Sequence, residues 1–429
     1  MNRSLSTFGF VLLSLAACQR TPERGEIAPR RAPSAGCNAA PTGTARVDNE
    51  TRRDQQKLKT EAAEASVWVA VGQDFVRVAR THAEPGYYAN AEACAQQALA
   101  RDRADAGALQ LMGLVLLNQH RFVEARTLAR ELLARHPEDS LSWGTLSDAE
   151  LELGHVSQAV AAAQQMMDRK PNLPSYGRAA HLRWLEGDRE GAKRVYQQAI
   201  AAGSEHKDRE PRAWMMVQAA WVFWHEGDYA GAAAGFDLAL REVPDYPAAL
   251  EGQGRAALAL GKYHDAIGWL TRALEAHPLP ETAWYLGDAY SLAGDAAAAR
   301  AAYARVERDA ARLDPRMLSL FYSSKAREPA RALELARAAY AERQDWYSKD
   351  ALAFALYRNA QPHEARRLAR EVIALGIPDA RLIYHAGLIE RAAGDITAGD
   401  ALVERALQLN PRFDPLLTGG ARATITARL

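Results

Sequence analysis

The side chains able to do chemistry do not assemble into a catalytic pattern. The eleven histidines are scattered along 429 residues. His225-Glu226 begins like a zinc-protease helix, but Gly227-Asp228 follows and no second histidine stands at the required spacing. No GxSxG turn lifts a serine onto a strand-to-helix elbow, and no glycine-rich loop ends in Lys-Ser or Lys-Thr to cradle phosphate. No acidic run has calcium-loop spacing. Asp188, Asp228 and Asp295 each follow a glycine at a helix start, where a carboxylate accepts backbone N–H groups, so they read as caps rather than metal ligands. What remains is recognition chemistry. Trp214, Trp221, Trp224 and His225 crowd one short stretch, and Trp, Tyr and Arg are the side chains that carry most binding energy at interfaces. The expectation is a protein without enzymatic activity, cofactor or metal. Its 53 basic and 53 acidic residues balance, leaving no basic footprint for nucleic acid.

A second feature is at the start. MNRSLSTFGFVLLSLAAC carries an early positive charge at Arg3 and then an apolar run from Phe8 to Ala17, too short to span a bilayer and patterned as an export signal. Its end, Leu15-Ala16-Ala17-Cys18, resembles the lipobox of bacterial lipoproteins. The resemblance implies cleavage after residue 17, acylation of Cys18 and stable membrane anchoring by several chains. Gln19 after the cysteine implies the outer rather than the inner membrane, with the mature chain in the periplasm or on the cell surface.

Residues 18–47 are rich in Pro, Gly, Ala and Arg without an apolar period, and read as a disordered tether with roughly 30 Å of average reach. Two further cysteines remain. Cys37 lies in that tether and Cys94 on a helical pattern; their spacing does not argue for a disulfide, and Cys94 reads as a small core residue.

From residue 48 to 411 the chain is helix after helix, with apolar residues at three- and four-residue spacing, as in ALQLMGLVLL. Small residues recur at Ala91, Ala125, Ala159, Ala192, Ala232, Ala266, Ala299, Ala332, Ala365 and Gly399, at steps of 33 or 34 with a single step of 40. A glycine precedes many of them by five residues, and prolines such as Pro171, Pro244 and Pro411 close the units. The long step places a surface insertion in AAGSEHKDREPRA. Such a period marks a repeat array whose length counts units rather than cores.

The unit resembles the tetratricopeptide repeat: Phe223, Ala232, Phe236, Ala239 and Pro244 make one nearly complete copy, and Leu286, Gly287, Tyr290, Ala299 and Tyr303 another. The resemblance implies an all-α fold, a right-handed α-solenoid of about ten helix-turn-helix units. Arg327 and Ala360 replace the turn glycine in two units, which are expected to pack irregularly. Residues 412–429 read as a short cap that frays.

The resemblance also implies that first helices line a concave side. The residues it places there are His181, Trp184, Trp214, Trp221, Trp224, His225, Arg255, Glu281, Trp284 and Asp288, with Phe321, Phe354, Tyr357 and Tyr384 beyond them. Such a groove suits an extended or helical peptide. The expected function is therefore a scaffold that binds a protein or peptide partner. A glycan stacked on the same rings, within an envelope export or adhesion system, is the alternative.

Overall fold

The structure is a computed structural model that describes residues 36–43, 46–59, 64–82, 84–203 and 209–418. The leader with Cys18, residues 19–35 of the expected tether, residues 204–208 of the expected insertion and residues 419–429 of the expected tail lie outside the described residues. Regular structure among the described residues is entirely helical, in consecutive pairs joined by tight turns. The chain divides into two compact units, one ending at Ser175 and the other beginning at Tyr176.

The first unit holds α1 (Arg46–Lys57), α2 (Ala65–His82), α3 (Tyr87–Arg101), α4 (Ala106–Asn118), α5 (Phe122–Arg135), α6 (Ser140–Glu152) and α7 (Val156–Arg169). The division falls within α8 (Leu173–Leu185). The second unit continues with α9 (Arg189–Ala201), α10 (Glu210–His225), α11 (Tyr229–Glu242), α12 (Pro247–Ala259), α13 (Tyr263–Ala276), α14 (Pro280–Leu292) and α15 (Ala296–Leu313). It ends with α16 (Pro315–Ser324), α17 (Pro329–Glu342), α18 (Trp346–Arg358), α19 (Pro362–Ile373), α20 (Ala380–Ala392) and α21 (Ile396–Leu409).

Local chemistry sets the boundaries. Asp188, Asp228 and Asp295 accept backbone N–H bonds from Gly191, Gly231 and Ala298, so all three are the caps expected of them. Gly154, Gly187, Gly227, Gly261, Gly294 and Gly394 turn the chain between paired helices with φ between 77° and 97°. Ala360 makes the same turn without glycine at φ 57°. Near Arg327 the left-handed residues are its neighbours Ala326 and Glu328, at φ 53° and 42°. The irregularity in that unit lies in this double left-handed turn and in a first helix, α16, of only 10 residues, preceded by an α15 of 18. Ala332 and Ala365 are themselves fully buried, so the anchors of both units hold.

Small residues exist to admit large ones. A Cβ on Gly252 would stand 2.4 Å from the Phe236 ring, and one on Gly287 would stand 2.4 Å from the Tyr303 ring. Each aromatic of a second helix thus fills the space that a glycine of a first helix leaves, giving contact at interior density.

Both ends depart from expectation. Cys37 is disulfide-bonded to Cys94, closing a loop across 57 residues. Around that bond Asn90 Nδ2 donates to Gly36 O at 2.8 Å, Gln55 Nε2 to the carbonyls of Cys37 and Ala39 at 2.9 Å, and Thr42 N to Tyr87 Oη at 3.0 Å. Residues 36–43 therefore belong to the folded unit, not to a tether, and Cys94 is a bonded cysteine in the core. Spacing could not reveal this, because the pairing depends on how the segment folds back over α3.

At the other end, Pro411–Thr418 packs rather than frays. Asn410 Nδ2 donates to Trp224 O at 2.7 Å, Arg412 N to Tyr229 Oη at 2.9 Å and Arg412 Nη1 to Ala259 O at 2.8 Å. Phe413 joins one buried apolar cluster with Trp224, Phe236, Ile383 and Tyr384. The second unit thus closes on itself through the segment after α21, which meets the end of α10, the start of α11 and the end of α12.

Candidate functional site

Closure brings the first helices of each pair around one interior. On α8 and α10, the His181 ring stacks near Trp184 at 5.8 Å, Trp184 meets His225 at 4.8 Å, and Trp224 meets His225 edge-on at 5.3 Å. Trp221 meets Trp224 at 5.5 Å and Phe236 at 4.9 Å. From α12, the Arg255 guanidinium lies 4.5 Å from the Trp221 ring, 4.6 Å from Trp224 and 4.4 Å from Tyr285 of α14. Three ring faces at those distances hold a partly desolvated cation in place.

Carboxylates surround this group. Glu251 Oε2 accepts from Thr282 Oγ1 at 2.6 Å, and its Oε1 stands 3.9 Å from Arg255 Nη1. Glu281 accepts from Tyr285 Oη at 3.0 Å. Asp379 caps α20 by accepting the N–H groups of Arg381 and Leu382. Asp350 of α18 meets His385 Nδ1 at 3.0 Å, and that imidazole stacks on Phe354 at 3.8 Å.

Burial governs the protonation of these groups. It pushes Glu251 up to about 7, with Glu281 adding to the shift. It holds His225 down at about 4, Arg255 and Arg381 pushing the same way against Asp379. His181 falls to about 3 through burial and the neighbouring His225. Tyr285 is raised well above the usual phenol range by burial. Burial also opposes the Arg381 charge, but Asp379, Tyr285, Asp350 and Glu281 more than offset it and the guanidinium is raised. Burial likewise disfavours the Asp379 carboxylate, yet Arg381, His225 and the two N–H bonds hold it below the ordinary range.

The expected site residues separate into those gathered here and those held elsewhere. His181, Trp184, Trp221, Trp224, His225, Arg255 and Glu281 converge. Trp214 of α10 is half-buried, and its Nε1 is buried with no protein partner. Trp284 packs edge-on against Phe321 at 5.5 Å, and Asp288 binds Lys325 Nζ and Tyr303 Oη, each at 2.6 Å. Burial pushes Asp288 up to about 6. Tyr357 stacks near Phe354 at 5.7 Å, and Tyr384 packs on Phe413 at 5.5 Å. Trp184, Trp224, Trp284 and Tyr384 are only 4–6% exposed, so these four rings are packed between helices rather than laid open on the concave side. Trp184 and Trp284 are covered by His225 and Phe321 of the next first helix, whereas Trp224 and Tyr384 are covered by the segment after α21.

Arg381, Tyr285, Glu251, Tyr347 and Asp350 were not expected in the interior, although the repeat register carried the signal for all but Tyr285. Arg381 stands 18 residues before Gly399, the offset that also separates Trp214, Glu281 and Tyr347 from the small residues of their own units. Glu251 and Asp350 share the offset of Trp284 and Tyr384, 15 residues before theirs.

Residues 110–174, 178–247 and 251–315 match the family model of the tetratricopeptide repeat. No curated protein matches the chain. Among solved structures, the human IFIT1 dimer with m7Gppp-AAAA is similar at 15% identity and a TM-score of 0.50, over 84% of this chain and 85% of that one. The APC/C hetero-tetramer Cut9-Hcn1 is similar at 15% identity and a TM-score of 0.48, over 85% of this chain; the match spans 60% of the other chain's length. A thermophilic TPR protein of Thermus thermophilus is similar at 21% identity and a TM-score of 0.39, over 46% of this chain and 98% of that one. At these identities the likeness is one of fold.

Proposed function

We propose, from the match of residues 110–174, 178–247 and 251–315 to the tetratricopeptide repeat, a unit whose common role is to bind other proteins, that this chain is a non-enzymatic scaffold of a bacterial envelope, anchored through Cys18, that receives a segment of a partner protein in the interior of the 176–418 unit. The observation that carries this reading is the convergence of His225, Arg255 and Tyr285 from three helices with Arg381 from a fourth. Binding energy concentrates where aromatic and guanidinium groups meet in a desolvated setting. The Cys37–Cys94 bond supports the exported half of the reading, because disulfides persist in oxidising compartments and are rare in the cytosol.

Two measurements test the two halves. Cys18→Ser should move the protein from the membrane fraction to the soluble one; retention in membranes would remove the lipid anchor. For the partner, a photo-crosslinking residue replaces Trp221 in the interior or Leu238, which is 47% exposed on α11. A partner captured from position 221 alone supports interior binding. Capture from both positions alike, or from 238 alone, would move the binding surface outside.

A further inference from the structure

The hydrogen-bonding capacity of the interior is lopsided. Each carboxylate there has a donor: Thr282 for Glu251, Tyr285 for Glu281, backbone amides for Asp379 and His385 for Asp350. The two guanidiniums lack the reciprocal bonds. Arg255 Nε is buried with no protein partner, and the one carboxylate oxygen near its terminal nitrogens is 3.9 Å away, beyond hydrogen-bond reach. Arg381 Nε is likewise buried and unpartnered, as are the indole N–H groups of Trp184 and Trp224. Buried donors without acceptors are rare, because each forfeits its hydration with nothing in return.

The geometry of Arg255 sharpens the point. Trp221, Trp224 and Tyr285 turn their ring faces toward the group at 4.4–4.6 Å, and a ring face accepts no conventional hydrogen bond from the guanidinium donors. Arg381 shares that space, since its charge bears on both Tyr285 and His225, as the charge of Arg255 does.

We infer that Arg255 and Arg381 together form a receptor for an oxyanion, taken up between α12 and α20 and supplied by an acidic side chain or terminal carboxylate of the bound segment or by a free anion such as phosphate. A planar fork of N–H donors matches two oxygens of one carboxylate or phosphate, and such charge-assisted pairs are about twice as strong as neutral ones. A neutral apolar ligand would leave the same donors unmet. The inference deepens the scaffold reading and rests on it for the peptide source of the anion.

The test uses the full chain in detergent and the tryptophan emission of Trp221 and Trp224, both in contact with Arg255. The probes are hexaglutamate, hexaglutamine and inorganic phosphate, each titrated at low and at moderate salt. The expected result is saturable binding of hexaglutamate, weakened by salt, at least tenfold weaker in Arg381→Gln, and intermediate in Arg255→Lys, which keeps charge but loses the fork. Circular dichroism and melting of both variants establish that the fold survives; should one unfold, the other carries the comparison. Phosphate binding with the same variant pattern, and none by hexaglutamate, upholds the oxyanion receptor while removing the peptide as its source. Equal binding of hexaglutamate and hexaglutamine, unchanged in both variants, overturns the receptor and leaves the scaffold standing. Failure of every charged probe to bind the native chain overturns the receptor as well.

Discussion

The hydroxyl of Tyr229 donates to Asn410 Oδ1 at 2.6 Å, joining residues 181 positions apart. The same asparagine donates to Trp224 O at 2.7 Å, so one side chain ties the start of α11 and the end of α10 to the end of α21. Asn410 is fully buried. Truncating it removes the acceptor of the Tyr229 hydroxyl and one of the donors to the Trp224 carbonyl in a dry setting, and about 1–3 kcal/mol of stability should be lost in Asn410→Ala. Tyr229→Phe removes one bond and should lose less. Urea unfolding of both single variants and the double variant measures the coupling. Strictly additive effects would mean the clasp contributes nothing as a unit.

The Cys37–Cys94 bond restrains a loop of 57 residues. Constraint of the unfolded chain over that length stabilises by roughly 4 kcal/mol. Reductant should lower the melting temperature of the native chain and leave that of a Cys37→Ser, Cys94→Ser double variant unchanged. Identical melting with and without reductant in the native chain would show that the bond is not formed.

Two turns separate backbone conformation from packing. Ala360 holds φ 57° where its counterparts are glycine, and an alanine there carries about 1–2 kcal/mol of steric cost. Ala360→Gly should therefore stabilise, by a few tenths to about 1 kcal/mol after the added chain entropy of glycine. Gly294, at φ 86°, has nothing within 4 Å of a built Cβ, so Gly294→Ala should destabilise through φ alone. Shifts of opposite sign in thermal denaturation are expected.

Helical glycines divide by what they face. Gly268 on α13 faces open space, and Gly268→Ala should stabilise by about 0.5–1 kcal/mol through helix propensity. Gly252→Ala would thrust a methyl to within 2.4 Å of Phe236 and should destabilise by about 1–3 kcal/mol. Equal effects at the two sites would contradict the interlock between glycine and aromatic.

Acid should weaken the second unit through its histidines. His181 and His225, held at about 3 and about 4, stay neutral in the folded chain while the unfolded chain protonates near the ordinary value of 6.5. The stability they contribute is complete above pH 6.5 and is lost as pH falls toward about 4. Glu251 and Asp288, pushed up to about 7 and about 6, slope the other way, binding protons more readily in the folded state. Comparison with a His181→Gln, His225→Gln variant isolates the histidines: native stability minus variant stability should fall between pH 6.5 and 4, and a flat difference would show that the imidazoles are solvated.

What was legible in the sequence was whatever repeats or acts locally. The period of 33 or 34 placed Ala125, Ala232 and Ala365, and all three are fully buried. Asp188, Asp228 and Asp295 were readable as caps because a cap involves only the three residues that follow it. His225 and Arg255 were placed on inward-facing first helices by the resemblance to the repeat family, in which first helices line the concave side. Arg381 carries the same register as Glu281, but a charge at that offset is equally compatible with a solvated face, so the register alone does not mark it.

The tertiary structure alone decided three things: that Trp184, Trp224, Trp284 and Tyr384 are packed rather than displayed, that Cys37 reaches Cys94, and that Arg412 meets Ala259. A repeat sequence encodes each unit and its contact with the next, and those contacts recur at a fixed spacing. Closure of the second unit is the accumulated rotation of many such contacts. Which residues meet 181 positions apart depends on that sum, which no single period expresses.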